Sequence, residues 1–239
     1  MLVMASMLCV FSSCSEDEKK KEEVRPNIPT TVNLKVGENY DLKHTTTWES
    51  SKTFVATVNG SGVITAKRVG KAKISAPYAH LDCSVNVAAS YTLYDEPITD
   101  WGISKNALIS RRGIPDNETS TALSYSCSSS YAPKEAYVFE NNQLIMSAKL
   151  VKTTYTDQLV DHLMQRYKAV NVDTEKYDVY FINEETLDKA NMAIVASLSN
   201  TSYWLVAYMP TSSNTRVNMD KKALYDLLKR EIESLGINK

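Results

Sequence analysis

The chain of 239 residues is poor in the side chains from which metal sites and nucleophilic sites are built. Its 3 histidines are His44, His80 and His162, and none stands at a metal-ligand spacing from Cys, His, Asp or Glu. The sequence has no Gly-x-Ser-x-Gly motif, phosphate-binding loop or dinucleotide fingerprint. We therefore expect no catalytic residues, no metal and no cofactor, and we predict that the protein is not an enzyme.

An excess of charge of one sign is also missing. The chain carries 27 Lys+Arg against 28 Asp+Glu, a formal net charge of -1. This balance gives no long-range attraction to a nucleic acid, so we expect no nucleic-acid partner. With only 7 Gly and 7 Pro, and 43% hydrophobic residues, the composition is that of a folded protein of one or two domains.

The 4 cysteines do not form an obvious site. Cys9 and Cys14 lie in the N-terminal segment, whereas Cys83 and Cys127 lie in strand-like patterns that point both side chains inward. Two buried free thiols are the favoured interpretation. A disulfide between them is the alternative, if the compartment is oxidising.

The first 13 residues carry no charge and are too short to span a bilayer, which needs about 20 apolar residues. The sequence Phe11-Ser12-Ser13-Cys14 resembles a bacterial lipobox. The resemblance implies that residues 1–13 are a lipoprotein signal segment and that Cys14 carries the lipid, with the membrane as a partner. A buried N-terminal helix with an incidental cysteine is the alternative.

A dense tract of mixed charge follows Cys14 and contains no apolar residue before Val24. Such a tract cannot bury a face, so residues 14–29 are predicted to be a lipidated cysteine and a solvated tether. An acidic start directly after the cysteine is similar to the export signal of some surface lipoproteins. The expected location is the outer membrane or cell surface, with the periplasmic leaflet as the alternative.

Residues 30–89 alternate short apolar strands with turn residues, as an all-β sandwich requires. The sequences Trp48-Glu49-Ser50-Ser51, Val55–Val58 and Gly62–Ala66 resemble the bacterial immunoglobulin-like domain, group 2, over residues of about 31–89. The stretch PYAHLDC, from Pro77, departs from that family. The resemblance implies a spacer or adhesion module, and we expect Trp48 to anchor its core.

Residues 90–239 change to mixed helix and strand patterns. Helices are predicted over 104–112, 156–170 and 220–235, with strands in hairpins around Asn141-Asn142 and around Asn200. His162 is expected on the exposed side of its helix, and the acidic pairs Asp95-Glu96, Asp173/Glu175 and Glu184-Glu185 are expected to be solvated.

The predicted fold class is therefore multi-domain, with an immunoglobulin-like sandwich followed by an α+β domain with an antiparallel sheet. The order helix, three strands, helix, three strands, helix also fits a divergent duplication. Residues 98–115, ITDWGISKNALISRRGIP, faintly resemble the opening of the repeats of β-lactamase-inhibitor-like and barrel-assembly lipoproteins. That resemblance implies an alternative function as a protein inhibitor or envelope-assembly lipoprotein.

The 14 tyrosines are the remaining candidates for a recognition surface. Tyr131 and Tyr203 stand beside strand ends and are predicted to bind the partner, although strand propensity alone also explains tyrosines in such places. The favoured function is a surface lipoprotein with a binding or adhesion role towards a glycan or a protein. A hydrolase with a cryptic site is the remote alternative.

Overall fold

The computed structural model describes residues 26–211 and 230–234. The predicted signal segment, Cys14 and most of the tether lie outside the described residues. Of the predicted last helix, residues 230–234 are described and are helical. Within the described residues no helix is long and apolar enough to cross a membrane.

Seven strands between residues 31 and 88 form two sheets around one core, and we call this unit the N-terminal sandwich. The strands are β1 (Thr31–Lys35), β2 (Asn39–Asp41), β3 (Glu49–Ser50), β4 (Ala56–Val58), β5 (Val63–Ala66), β6 (Gly70–Ala76) and β7 (Leu81–Ala88). One sheet has the order β1-β7-β6-β3 and the other β2-β5-β4. The pair β1–β7 is parallel, while the other pairs in the two sheets are antiparallel.

The core of the N-terminal sandwich confirms Trp48 as an anchor. Trp48 is 8% exposed and its indole N–H donates to the carbonyl of His44 at 2.9 Å. Gly62 lies against this pair with φ of +86°, and a Cβ there would come within 2.6 Å of the His44 carbonyl oxygen. The position therefore requires glycine, because an L side chain would meet both strain and a clash with backbone.

Eight further strands form a single antiparallel sheet. They are β8 (Asn117–Glu118), β9 (Ala122–Ser126), β10 (Lys134–Glu140), β11 (Gln143–Lys152), β12 (Lys168–Asp173), β13 (Asp178–Ile182), β14 (Met192–Leu198) and β15 (Tyr203–Pro210). The order is β12-β13-β14-β15-β11-β10-β9-β8, so each half is a four-strand meander and the last strands of the two halves meet at the centre. The strands β8 and β12 were not predicted, so each of the first two predicted helices is followed by four strands and not three.

Both faces of this sheet are buried. One face carries the cross-strand row Leu123, Tyr137, Ser147, Tyr208, Ile194 and Phe181, and its residues pack with Leu108 and Leu163 of the two helices. The other face is rich in alanine, with Ala136, Ala148 and Ala207 in one row, and Ile232 packs against it.

Helix α1 (Lys105–Arg112) begins and ends as predicted. The Ser104 hydroxyl accepts from the Ala107 N–H, and Gly113 closes the helix with its N–H bonded to the Ile109 carbonyl. Gly102 and Ile103 bond to Leu144, which fixes the start of α1 to the β10–β11 hairpin. The predicted turn at Asn141-Asn142 is also confirmed, since both residues have positive φ.

Helix α2 (Thr156–Met164) is shorter than predicted. The prediction of a helix to residue 170 is wrong, because residues 168–173 form the edge strand β12. The spacing of apolar residues predicts a buried stripe of Leu159, Val160, Leu163, Met164 and Tyr167. Leu159, Leu163 and Tyr167 are buried, whereas Val160 and Met164 are 50% and 46% exposed. The buried stripe is therefore narrower than the sequence suggested.

The N-terminal sandwich contacts the end of α2 directly. The Val69 N–H donates to the Gln165 carbonyl at 2.8 Å, and Arg68 Nε donates to the Tyr167 carbonyl at 3.3 Å. Lys52 and Glu184 form an ion pair at 2.7 Å. Specific polar contacts therefore join the two parts of the chain that were predicted to be separate domains divided at residue 89.

Candidate functional site

Three tyrosines from separate segments lie beside α2, and we call them the tyrosine surface: Tyr91, Tyr131 and Tyr155. Tyr155 directly precedes the helix, while the Tyr91 backbone is bonded to Gln165 at its other end. The rings of Tyr131 and Tyr155 lie edge to face at 4.7 Å. Tyr91 and Tyr131 are 37% and 42% exposed. Partial burial, followed by the charges of Tyr131, Asp161 and Tyr155, raises the pKa of Tyr91.

The backbone holds Tyr131 in a fixed position. Its N–H donates to the Ser129 hydroxyl at 3.3 Å, and its carbonyl accepts from the Lys152 N–H at 2.9 Å. A side chain presented by an ordered backbone loses less entropy on binding than one on a free loop. Tyr131 is therefore well placed for the partner-binding role predicted for it.

Tyr203 does not join the tyrosine surface. It is only partly exposed and packs against the alanine-rich face of the sheet. Residue alternation along β15 places Tyr203 on the side of Ala207, whereas Tyr155 packs into the core on the helix side. The structure thus puts the two predicted tyrosines in different surroundings.

The outer side of α2 extends the tyrosine surface with apolar area. Asp161 lies near Tyr91, and Gln165 Oε1 accepts from the Tyr91 N–H at 3.2 Å. Met164 and Val160 lie on the same turns of the helix and are about half exposed. Tyrosine and methionine are enriched at protein interfaces relative to the rest of a protein surface.

A second cluster joins the segment before α1 to α2 and contains His162. The His162 Nδ1 accepts from the Leu93 N–H at 3.2 Å, so its Nε2 carries the proton and donates to Glu96 at 2.9 Å. The Tyr167 hydroxyl donates to the same carboxylate at 3.0 Å, and Arg166 lies 3.3 Å from it. The prediction that His162 is exposed is wrong, since the residue is fully buried.

Burial lowers the pKa of His162 against the opposing effect of Glu96. The imidazole is therefore neutral at pH 7, as its acceptor role towards Leu93 requires. Glu96 is one-third exposed and is the centre of a hydrogen-bond cluster, so the prediction of a merely solvated Asp95-Glu96 pair fails for Glu96. His162 in this tautomer bonds to Leu93 and to Glu96, and the two bonds hold the segment before α1 against α2.

A polar cavity of about 450 Å³ opens beside this cluster on the helix side of the sheet. At its base Glu135 and Lys149 form a cross-strand ion pair at 2.6 Å, and Arg112 of α1 bonds to the second oxygen of Glu135. Burial alone would raise the pKa of Glu135, but Lys149 and Arg112 outweigh it and lower the pKa. The carboxylate is therefore ionised between two cations.

Cys127 lines the same cavity and is half-buried. Its sulfur lies 3.5 Å from Lys149 Nζ and 3.9 Å from a terminal nitrogen of Arg112. Burial and then Glu135 raise the pKa of the thiol in spite of these cations. Cys127 thus stays protonated at neutral pH, which makes it a weak nucleophile.

Cys83 is the other thiol and is completely buried in the N-terminal sandwich. Both cysteines are free, as favoured, but only Cys83 is buried as predicted. Over residues 26–211 and 230–234, no group of three or more His, Cys, Asp or Glu side chains is arranged to hold a metal ion.

Arg112, Glu135 and Lys149 were not predicted as site residues. A signal was nevertheless available for Lys149, which stands between Ala148 and Leu150 in a mostly apolar strand, and Glu135 of the preceding strand supplies the opposite charge. Charged residues are rarely buried without a partner, so two opposite charges in neighbouring strands indicate a pair.

The comparisons with known proteins agree with the N-terminal sandwich. The family described as Bacterial Ig-like domain (group 2) matches residues 21–77. The chain therefore contains a bacterial immunoglobulin-like domain, as the motifs around Trp48 indicated. The match ends at Pro77, where the sequence departs from the family, although β7 completes the sandwich beyond it. No curated protein matches the chain.

Proposed function

We propose that the chain is a lipid-anchored cell-surface protein that binds a partner protein through the tyrosine surface, with the immunoglobulin-like domain as a spacer. The domain family supports a surface or adhesion type of module. The observation that carries the proposal is the exposed Tyr131, which packs edge to face on Tyr155 and is held by two backbone hydrogen bonds, with the exposed Tyr91 bonded to the end of α2. Cys14 provides the anchor, and the protein is not an enzyme.

A protein is favoured over a glycan because apolar area continues beyond the aromatic rings. Val160 and Met164 together add half-exposed aliphatic surface on α2. Sugars are recognised by aromatic faces and polar groups, whereas aliphatic side chains suit the apolar centre of a protein interface.

The test places a photo-activatable aromatic residue at Tyr131 in the intact chain on cells. We expect crosslinking to a protein of defined mass, lost when Tyr91→Ala is added. Tyr40 of the N-terminal sandwich is the matched control site, since it is 37% exposed, and should give no such product.

With the crosslinked protein purified, Tyr131→Ala should weaken binding by more than about 1 kcal/mol, the loss expected at an interface anchor. Binding of a glycan in place of a protein would change the ligand class. Equal capture by the isolated immunoglobulin-like domain would move the binding site to that domain. Release from membranes by Cys14→Ser tests the anchor separately.

A second candidate function is a protein inhibitor or envelope-assembly lipoprotein. The observation in its favour is the sheet of two four-strand halves, each preceded by one helix. Inhibition of a purified β-lactamase or envelope protease by the intact chain would support it. Among the described residues, the remote alternative of a hydrolase would draw on Cys127, whose thiol stays protonated, and on His162, whose two ring nitrogens already bond to Leu93 and Glu96.

A further inference from the structure

The cavity beside α1 has the size of a small-molecule site, for which about 300–1,000 Å³ is usual. Its volume is about 450 Å³. The exposed loop residues Ser126 and Ser128 and the carboxylates Asp95 and Glu96 form its rim. None of Tyr91, Tyr131 and Tyr155 lines the cavity, so a ligand site there would not depend on the proposed function.

The base of the cavity carries an excess positive charge. Two cations, Arg112 and Lys149, share the single carboxylate of Glu135, and the neutral thiol of Cys127 adds no negative charge. In the described part of the chain, the terminal nitrogens of Arg112 have one hydrogen bond, the 3.9 Å contact with Cys127. A guanidinium has five N–H donors, so most of those on Arg112 face the cavity or solvent.

Stability does not explain the three charges. The side chains of Glu135 and Lys149 are 3% and 5% exposed, and burying such groups has a large desolvation cost. Well-packed apolar residues in their place are often neutral or stabilising. The neighbouring positions on the same face of the strands, Tyr137 and Val151, are indeed aromatic or aliphatic.

The rim has the opposite charge. Asp95 and Glu96 both line the opening; Glu96 is already bonded to Arg166, His162 and Tyr167, so the exposed Asp95 supplies most of the negative charge available to a ligand. A ligand with two negative groups would therefore be attracted by the base and repelled by the rim. A ligand with one carboxylate and one ammonium group matches both ends.

We infer that this cavity is a binding site for a small zwitterion of the amino-acid or short-peptide type. Its carboxylate binds Arg112 and Lys149 at the base, and its ammonium group lies towards Asp95 and Glu96 at the rim. Cys127 and Ser129 form the side wall between the two ends.

The experiment uses the full chain with glycine, glycylglycine and 4-aminobutyrate as probes, and with acetate and ethylammonium as single-charge comparators. Calorimetry measures the dissociation constants at millimolar ligand. Alkylation of Cys127 by a maleimide, followed by peptide mass spectrometry, reports occupancy of the cavity itself. We expect at least one zwitterion to bind and to slow alkylation of Cys127, with both single-charge compounds weaker.

Arg112→Gln and Asp95→Asn should each raise the dissociation constant about tenfold, which corresponds to about 1.4 kcal/mol. Arg111→Gln is the matched control, since Arg111 lies on the same helix but pairs with Asp100. Asp95 is exposed, so Asp95→Asn remains informative if Arg112→Gln unfolds the protein.

Three outcomes would overturn the inference. Equal binding of acetate and the zwitterions would make this an anion site. Binding unaffected by Asp95→Asn would remove the role of the rim. If no zwitterion binds or protects Cys127, the cluster is a structural connection between α1 and the sheet.

Discussion

Burial determines the chemistry of His162 more than its position in the sequence does. The residue lies one turn after the exposed Gln158 and next to Asp161, so a helical projection places it on a polar side. In the structure the segment before α1 covers that side of the helix, and Leu93 and Glu96 bond to both ring nitrogens. A contact made by a segment about 66 residues away could not be predicted from the local pattern.

Acid should destabilise the protein through His162. Folding lowers the pKa of this imidazole below its ordinary value of 6.5, so the unfolded chain binds more protons in that range. The contribution of His162 to stability is therefore complete above pH 6.5 and is lost as the pH falls towards the folded-state pKa. Urea unfolding at a series of pH values between about 7.5 and 5 measures this loss.

His162→Gln should remove most of that pH dependence, while His80→Gln should leave it unchanged, because His80 is exposed. The groups that face His162 are Glu96, Arg166, Lys149 and Tyr94. An unchanged slope in His162→Gln would assign the acid sensitivity to other groups, such as Glu135, whose lowered pKa acts at a lower pH.

At the scale of elements, local signals predicted α1 and the hairpins well, and failed at the end of α2. Ser104 and Gly113 mark the two ends of α1 through hydrogen bonds to residues only a few positions away, so the local sequence is sufficient to predict this helix. Beyond α2, Tyr167 keeps the helical spacing of Leu159 and Leu163 although it follows the last helical turn. The alternating sequence of β12, with Val170 and Val172, was the stronger signal for that stretch.

The face of a strand was also hard to predict in this sheet. The strands β10, β11, β14 and β15 are buried on both faces, so apolar alternation does not distinguish the helix side from the other side. For that reason the sequence could select Tyr131 and Tyr203 but could not show that they have different surroundings.

The cap of α1 offers a direct test of element stability. Ser104→Ala removes the acceptor of the Ala107 N–H and should lower the free energy of unfolding by about 1 kcal/mol. Ser110→Ala is the matched control, because that hydroxyl bonds only to the Asn106 carbonyl on an exposed side of the same helix. Equal losses in urea unfolding would contradict a specific capping role.

For the whole molecule, the hydrophobic cores favour division of the chain at residue 89. The core of the N-terminal sandwich draws on residues up to Val87, and the other buried clusters begin at Leu93. We predict that residues 26–89 and residues 90–239 each fold alone, because each part closes its own core. Dispersed amide signals in NMR spectra of both pieces are the expected result.

The polar contacts of Lys52, Arg68 and Val69 with the other part should add stability without being required for folding. The triple variant Lys52→Ala, Arg68→Ala, Val69→Pro removes these contacts in the full chain, since Val69→Pro lacks the N–H that bonds to Gln165. It should fold, with a lower free energy of unfolding. Poorly dispersed signals from residues 90–239 alone would show that the boundary is wrong.

The parallel pairing of β1 and β7 has a mechanical consequence. Chain enters the N-terminal sandwich at Thr31 and leaves it after Ala88, and these residues lie at opposite ends of a ladder that runs from Thr31–Ser84 to Lys35–Ala88. A pulling force between the two ends therefore acts along the strands and loads all the hydrogen bonds of the ladder together. In an antiparallel hairpin pulled at its open end, the bonds would break one at a time. The N-terminal sandwich should consequently resist stretching, which would suit the spacer role proposed for it between an anchor and a bound partner.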